Sequence, residues 1–123
     1  THIAATYDER LGSSPLLHIP PRPVREKIIS RFVYVIRLAD RFTRAQRNRL
    51  ITLLGAHGVE SRPYFPAIHL TPFYRKTFGY KRGDFPVAEH FADHAIALPF
   101  SSMFTIAQID KVCYILLKLI KTL

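Results

Sequence analysis

"FVYVIRLADRFTRAQRNRLITLLGAHG", residues 32–58, sets two kinds of regular structure side by side. Its first five residues, Phe32-Val33-Tyr34-Val35-Ile36, are β-branched or aromatic at every position. Side chains alternate between the two faces of a strand, so this run predicts a strand covered on both sides. The period then changes. Thr43-Arg44-Ala45-Gln46 reads as a capping box: the threonine hydroxyl takes the backbone N–H three residues on, and the glutamine side chain reaches back. Leu50, Leu53 and Leu54 give the core face of the helix that follows, and Gly58 marks its C-terminal stop.

Upstream, Ile3, Ala4, Tyr7 and Leu11 form a helical stripe that Gly12-Ser13-Ser14-Pro15 ends. Pro20-Pro21-Arg22-Pro23 reads as a stiff, extended linker. Downstream, Val59–Phe65 predicts a second strand, ended by Pro66, and Pro72–Phe78 a short helical turn before Gly79. Asp84-Phe85-Pro86 opens a further helix, with Pro86 suited to its first position and Ala88, Phe91, Ala92 and Ala95 on its inner face. A short strand follows at Ala95–Leu98. Thr105-Ile106-Ala107-Gln108 repeats the capping box, and Ile106, Ile109, Val112, Leu116 and Ile120 give a last amphipathic helix. This order predicts a two-layer α+β domain: a short three- or four-stranded sheet with helices largely on one face.

The 123 residues fit a single domain, and 48% hydrophobic with 22% charged residues excludes a disordered chain. No apolar run approaches the roughly 20 residues a bilayer span needs. The nearest, Val112–Ile120, is interrupted by Lys118. The first residues, Thr1-His2-Ile3-Ala4, have neither a methionine nor the plan of a signal peptide, and they begin inside a helical stripe, as a piece of a longer protein does. Cys113 is the only cysteine; its apolar helical neighbours make it a small buried hydrophobe, compatible with a reducing cytoplasm. Eighteen Lys and Arg, twelve of them arginine, stand against nine Asp and Glu. That balance favours an anionic partner without choosing which.

Four constellations carry chemistry. His90 and His94 sit four apart on a predicted helix, a spacing compatible with one metal ion, but no third ligand is evident and surface histidines are the better reading. Gly79 and Gly83 flank Tyr80-Lys81-Arg82 in a basic turn that lacks a nucleotide fingerprint. Arg37, Arg41, Arg44, Arg47 and Arg49 suggest a nucleic-acid face, with Arg44 and Arg47 directed away from Leu50 and Leu54. No base-stacking pattern accompanies that charge, so a solvated outer face weighs more than nucleic acid. The fourth is "RPYFPAIHLTPFYR", residues 62–75, whose three prolines forbid regular structure through it. Tyr64, Phe65, His69, Phe73 and Tyr74, bracketed by Arg62 and Arg75, suit a wall of ring faces and phosphate-seeking donors. Alternation through Arg62–Phe65 assigns Phe65, with Phe73, to the core and leaves Tyr64 and His69 as the better contacts. On physics alone, packing outweighs ligand contact at this loop.

The stretch "GVESRPYFPAIHLTPFYRKTFGYKRGDFPVAEHFADHAIALPF" and the capped "TIAQIDKV" after it resemble the C-terminal small domain of the DegT/DnrJ/StrS family of sugar-nucleotide aminotransferases, which depend on pyridoxal 5'-phosphate (PLP). "GYKRGDFPVAE", residues 79–89, is the most specific segment, and "IAATYDERL" and "FVYVIRL" match upstream. The resemblance implies the small domain of a fold-type I aminotransferase, residues 1–30 being the helix and linker that leave a large domain and 31–123 the α+β core. It implies an enzyme that passes an amino group from an amino acid to a nucleotide-linked keto-sugar, works as a homodimer, and binds substrate near Tyr64, Phe65 and His69, with Arg62 or Arg75 adding charge. The PLP lysine of that family belongs to the large domain, so this chain alone is expected to bind no PLP and to be inactive. Glu89 and Asp84 match the family motif and read as helix-start carboxylates. Ser101-Ser102 departs from relatives that carry a proline there. The rival reading is a non-catalytic basic module for nucleic acid or another anionic partner.

Overall fold

A computed structural model describes residues 2–123. Five helices and four short strands form in the order α1 (His2–Leu11), β1 (Leu17–His18), β2 (Tyr34–Leu38), α2 (Arg44–Ala56), β3 (Arg62–Pro63), α3 (Pro72–Phe78), α4 (Pro86–His94), β4 (Ala95–Leu98) and α5 (Ile106–Ile120), with a 3-10 turn at Ile68–Leu70. The strands make one antiparallel sheet in the order β1-β2-β4-β3. Its register sets Tyr34 opposite Leu98 and Ile36 opposite Ile96, so these four side chains share one face. On that face lie Tyr7 and Leu11 of α1, Leu50 and Leu54 of α2, and Ile109 and Leu116 of α5, all fully buried. The α+β architecture is as the apolar spacing predicts, with α1, α2 and α5 on the core face.

Both capping boxes close. Thr43 Oγ1 accepts from Gln46 N at 3.2 Å while Gln46 Oε1 accepts from Thr43 N at 2.8 Å. Thr105 and Gln108 repeat these distances at the start of α5. At the far end of α2, Gly58 adopts a left-handed backbone (φ 79°). Gly58 N then reaches Gly55 O at 3.0 Å and Val59 N reaches Leu54 O at 2.9 Å, the paired bonds of a Schellman stop. Inside the core the rings of Tyr7 and Tyr34 stack with centroids 4.5 Å apart. Their hydroxyls find Pro99 O at 2.6 Å and Asp8 Oδ1 at 2.7 Å, and burial raises the pKa of both phenols.

Several expectations need correction. The first long strand runs over Tyr34–Leu38 instead of Phe32–Ile36, and Phe32 is exposed. Its partner β1, too short to read from sequence, pairs Leu17 with Leu38 and pulls the strand two residues onward. Tyr34, Ile36 and Leu38 are buried while Val35 and Arg37 are only half-covered, so one face of the strand is sealed instead of two. The predicted strand Val59–Phe65 shrinks to Arg62–Pro63. Pro63 has no N–H to give a ladder, and Phe65 turns left-handed (φ 50°) immediately before Pro66. Ile106, assigned to the core face of α5, is exposed, whereas Cys113 is buried as expected. No helix among the described residues is long and apolar enough to cross a membrane.

Candidate functional site

The aromatic loop and the glycine-bounded turn before α4 meet through one carboxylate. Asp84 Oδ2 accepts from Lys81 N at 2.8 Å and tightens the turn. Glu89, on α4, reaches back past the helix start: Oε1 accepts from Gly83 N at 2.7 Å, and Oε2 accepts from Phe85 N at 3.0 Å. Gly83 itself is left-handed (φ 102°), a conformation a side chain would strain. The same Oε2 lies 3.2 Å from His69 Nε2, which must be the donor because an ionised carboxylate only accepts. Burial pushes the Glu89 pKa up, but the bonds from Gly83, Phe85 and His69 outweigh it and leave the carboxyl below its ordinary value. Glu89 and Asp84 thus do the helix-start work expected of them, and Glu89 adds a tie to the aromatic loop.

The tie shapes an open groove of about 910 Å³. Tyr64, Phe65 and His69 stand on one side, Tyr80 and Phe85 on another, and Ala88 and Phe91 of α4 line it as well. The His69 ring packs edge-on against Phe85, with centroids 4.9 Å apart. Phe65 is 68% exposed and Phe73 66% exposed, so neither is core. Ala88 and Phe91, expected on the inner face of α4, are exposed too; Glu89 and His94 are the buried residues of that helix. A helix that presents apolar residues to a groove and polar ones to the interior inverts the usual pattern, and this inversion hid the groove from the sequence reading.

A second cavity, about 640 Å³, shares Phe65, Pro66, Ala67 and Ala92 with the groove. Four arginines line it: Arg44, Arg47, Arg75 and Arg82, with Asp93 the only carboxylate. Arg47 does not lie on a solvated outer face as expected. It shares the inner face of α2 with Leu50 and Leu54 and is 5% exposed. Its Nη1 donates to Ala92 O at 2.7 Å and Ala95 O at 2.9 Å, and its Nε to Asn48 Oδ1 at 2.8 Å. Burial lowers the Arg47 pKa, Asp93 opposes that, and the charge of Arg44 adds to it. Arg82 spends its fork on Asp93, at 3.1 and 3.3 Å.

Of the five residues expected at the substrate, Tyr64 (half-buried), Phe65 and His69 (buried at the groove wall) come together, and Arg75 faces the neighbouring cavity. Arg62 lines neither and pairs with Glu60 at 2.8 Å. Tyr80, Phe85 and Phe91 complete the groove and were not read as site residues; their only signal was an aromatic on each side of the Gly83 turn. His90 pairs with Asp40 at 3.0 Å. His94, expected at the surface, is buried with Nδ1 at 2.7 Å from His90 O and Nε2 at 2.7 Å from Phe42 O. Both of its nitrogens are therefore occupied, and no cluster of three metal-ligating side chains exists among the described residues.

The chain matches the sequence profile of the DegT/DnrJ/EryC1/StrS aminotransferase family over residues 1–117, and it belongs to that family. It is 44% identical over 59 residues to the uncharacterized protein MJ1066 of Methanocaldococcus jannaschii, covering 48% of this chain and 15% of that one. It is 28% identical over 81 residues to the spore coat polysaccharide biosynthesis protein SpsC of Bacillus subtilis, covering 65% of this chain and 21% of SpsC. Among solved structures, the putative sugar aminotransferase Spr1654 of Streptococcus pneumoniae in its PMP form superposes with a TM-score of 0.90 at 21% identity, over 98% of this chain and 30% of that one. Helicobacter pylori PseC, an aminotransferase involved in the biosynthesis of pseudoaminic acid, gives 0.87 at 19% identity, over 99% and 32%. These likenesses show the same fold. The chain spans about a fifth or less of its curated relatives' length and about a third of the solved chains.

A PLP-form of Spr1654 exists alongside its PMP-form, which raises whether the groove here fits that cofactor. All six lysines of this chain are exposed, and none lines the groove. The groove residues therefore offer no lysine amine for a Schiff base, and the one carboxylate lining it, Asp84, is turned to the Lys81 amide. The residues present do not fit PLP by themselves.

Proposed function

We propose that this chain is the small-domain portion of a PLP-dependent aminotransferase that passes an amino group from an amino acid to a nucleotide-linked keto-sugar, and that the aromatic groove is one wall of the substrate cleft. On this reading residues 1–30 are the helix and linker from a larger domain, 31–123 are the α+β core, and the cofactor, held elsewhere, supplies the electron sink for transamination. A cytoplasmic homodimer completes the proposal.

One observation carries it. Glu89 ties the turn before α4 to His69, and the groove beside them is lined by aromatic rings that include the tyrosines Tyr64 and Tyr80, a combination of ring faces and polar groups that suits a flat, oxygen-rich substrate. The family membership and the sugar-related descriptions of PseC and SpsC support the substrate class. Tyr64 donates its hydroxyl to a sugar or phosphate oxygen, Phe65 gives a ring face, and His69, oriented by Glu89, turns its Nδ1 side to the substrate. Arg75, and Arg62 further out, add positive charge.

In the complete enzyme, Tyr64→Phe is expected to raise KM for the nucleotide-sugar about 5- to 20-fold with kcat changed less than twofold, as loss of one neutral or charge-assisted hydrogen bond predicts. Steady-state kinetics check this. Unchanged KM in Tyr64→Phe, together with unchanged KM in a His69→Asn variant that melts like the parent, removes the contact roles.

A further inference from the structure

We infer that His94 is a protonation-sensitive latch on the groove helix: as an imidazolium it ties the C-terminal turn of α4 to the loop between β2 and α2, and its grip weakens when the ring gives up its second proton. His94 is 5% exposed and ends α4. Its Nδ1 lies 2.7 Å from His90 O and its Nε2 lies 2.7 Å from Phe42 O. A backbone carbonyl oxygen only accepts, so both bonds form only when both ring nitrogens carry hydrogen. A neutral imidazole has one N–H. Its other nitrogen then turns a lone pair towards a carbonyl oxygen at a buried position, where an unmade bond is costly.

Every element packed here brings charge to the latch. The C-terminal turn of a helix favours a cation, and α4 receives two: His94 on His90 O and Arg47 of α2 on Ala92 O. The His90 ring lies against that of His94 with centroids 4.2 Å apart, and its Nε2 is 3.0 Å from Asp40 Oδ1 in the loop. Asp93, the preceding residue, is taken up by Arg82. Arg41 lies over the Phe42 ring, 4.7 Å from its centroid. In the sheet, Arg37 of β2 stands opposite Ala95, and His18 of β1 stands opposite Arg37. The arginines stay charged at any pH and both carboxylates are engaged, so the imidazoles are the groups of this cluster that change charge near neutrality. The latch is therefore complete below the imidazole range and weakens as pH rises through it. Glu89 acts in the opposite direction and in a lower range, beneath the carboxylate value of 4.5. Because α4 also presents Ala88 and Phe91 to the groove and holds His69 through Glu89, loosening its end reaches the groove wall, whatever the groove binds.

The full chain, isotope-labelled, is followed by NMR between about pH 5.5 and about pH 8.5, a window that brackets an imidazole and lies above the carboxylates. At the acid end both His94 ring nitrogens are expected to carry slowly exchanging protons. At the alkaline end one of the two ring signals is lost, and the amides of Phe42, Phe91 and Ala92 shift with the same midpoint. The melting temperature is expected to fall by roughly 3–6 °C across the window as one buried bond goes. His90→Gln removes the neighbouring imidazole and its Asp40 pair but keeps the His90 carbonyl, and is expected to retain this step. His94→Gln is expected to abolish it; should that variant fail to fold, the ring signals of the parent decide alone. The inference is overturned if the His94 ring holds one proton, or both, across the whole window. It is overturned equally if the melting step survives in His94→Gln or vanishes in His90→Gln.

Discussion

Glu89 stands in the first turns of α4, yet its oxygens serve the segment before the helix and a histidine twenty residues upstream. Its pKa lies below the ordinary 4.5, because the Gly83, Phe85 and His69 bonds overcome the upward push of burial. The ionised form is thus favoured by folding, and the stability it contributes is complete above the ordinary value and is lost as pH falls through the depressed one. Glu89→Gln replaces an acceptor-only group with one whose amide N–H faces other donors. The variant is expected to melt roughly 5–10 °C below the parent at pH 7, and the gap is expected to close as pH falls beneath the carboxylate range. Melting curves across pH check this; a gap independent of pH contradicts it. The motif around Glu89 was legible as a helix start, but its bond to His69 was not, since no spacing rule links a loop histidine to a glutamate in a later helix. Arg47 failed for a related reason. Its charge argued for solvent, and only the tertiary fold supplied the carbonyls of Ala92 and Ala95 that let it be buried.

Elements with strong local chemistry were readable. Thr43 and Thr105 announced two helices, Pro72 and Pro86 two more, and Gly58 a stop, because each feature acts within a single turn of chain. Gly58 shows the size of such a term: alanine there keeps the space but must adopt a positive φ, at a cost of about 1 kcal/mol. Chemical denaturation of Gly58→Ala checks this, with an unchanged m-value and a lower midpoint expected, and an unchanged midpoint counting against the Schellman stop. Strand limits were less readable, since β1 and β3 are two residues each and exist only as partners of β2 and β4. The face of α4 was the deeper miss. Alanines and Phe91 look like core, and here they line an open groove while Glu89 and His94 point inward.

At the scale of the whole molecule, the core lies on one side of the sheet, under α1, α2 and α5, and the groove and arginine cavity lie apart from it around α3, α4 and the loop between β3 and the 3-10 turn. The fold likeness covers nearly all of this chain and about a third of each solved neighbour. Phe65 and Phe91 are exposed rings that line the groove, and Phe73 and Phe78 of α3 are exposed as well, a clustering of exposed apolar surface that marks an interaction site. The central claim, that the groove receives a nucleotide-linked sugar, is open to direct measurement on the chain itself. Titrating the isotope-labelled protein with a nucleotide-sugar while following backbone amide resonances is expected to move residues 64–69 and 84–92 most, with weak but saturable affinity. Shifts confined to the basic linker at residues 20–31, or scattered along α5 with those groove resonances still, would contradict it.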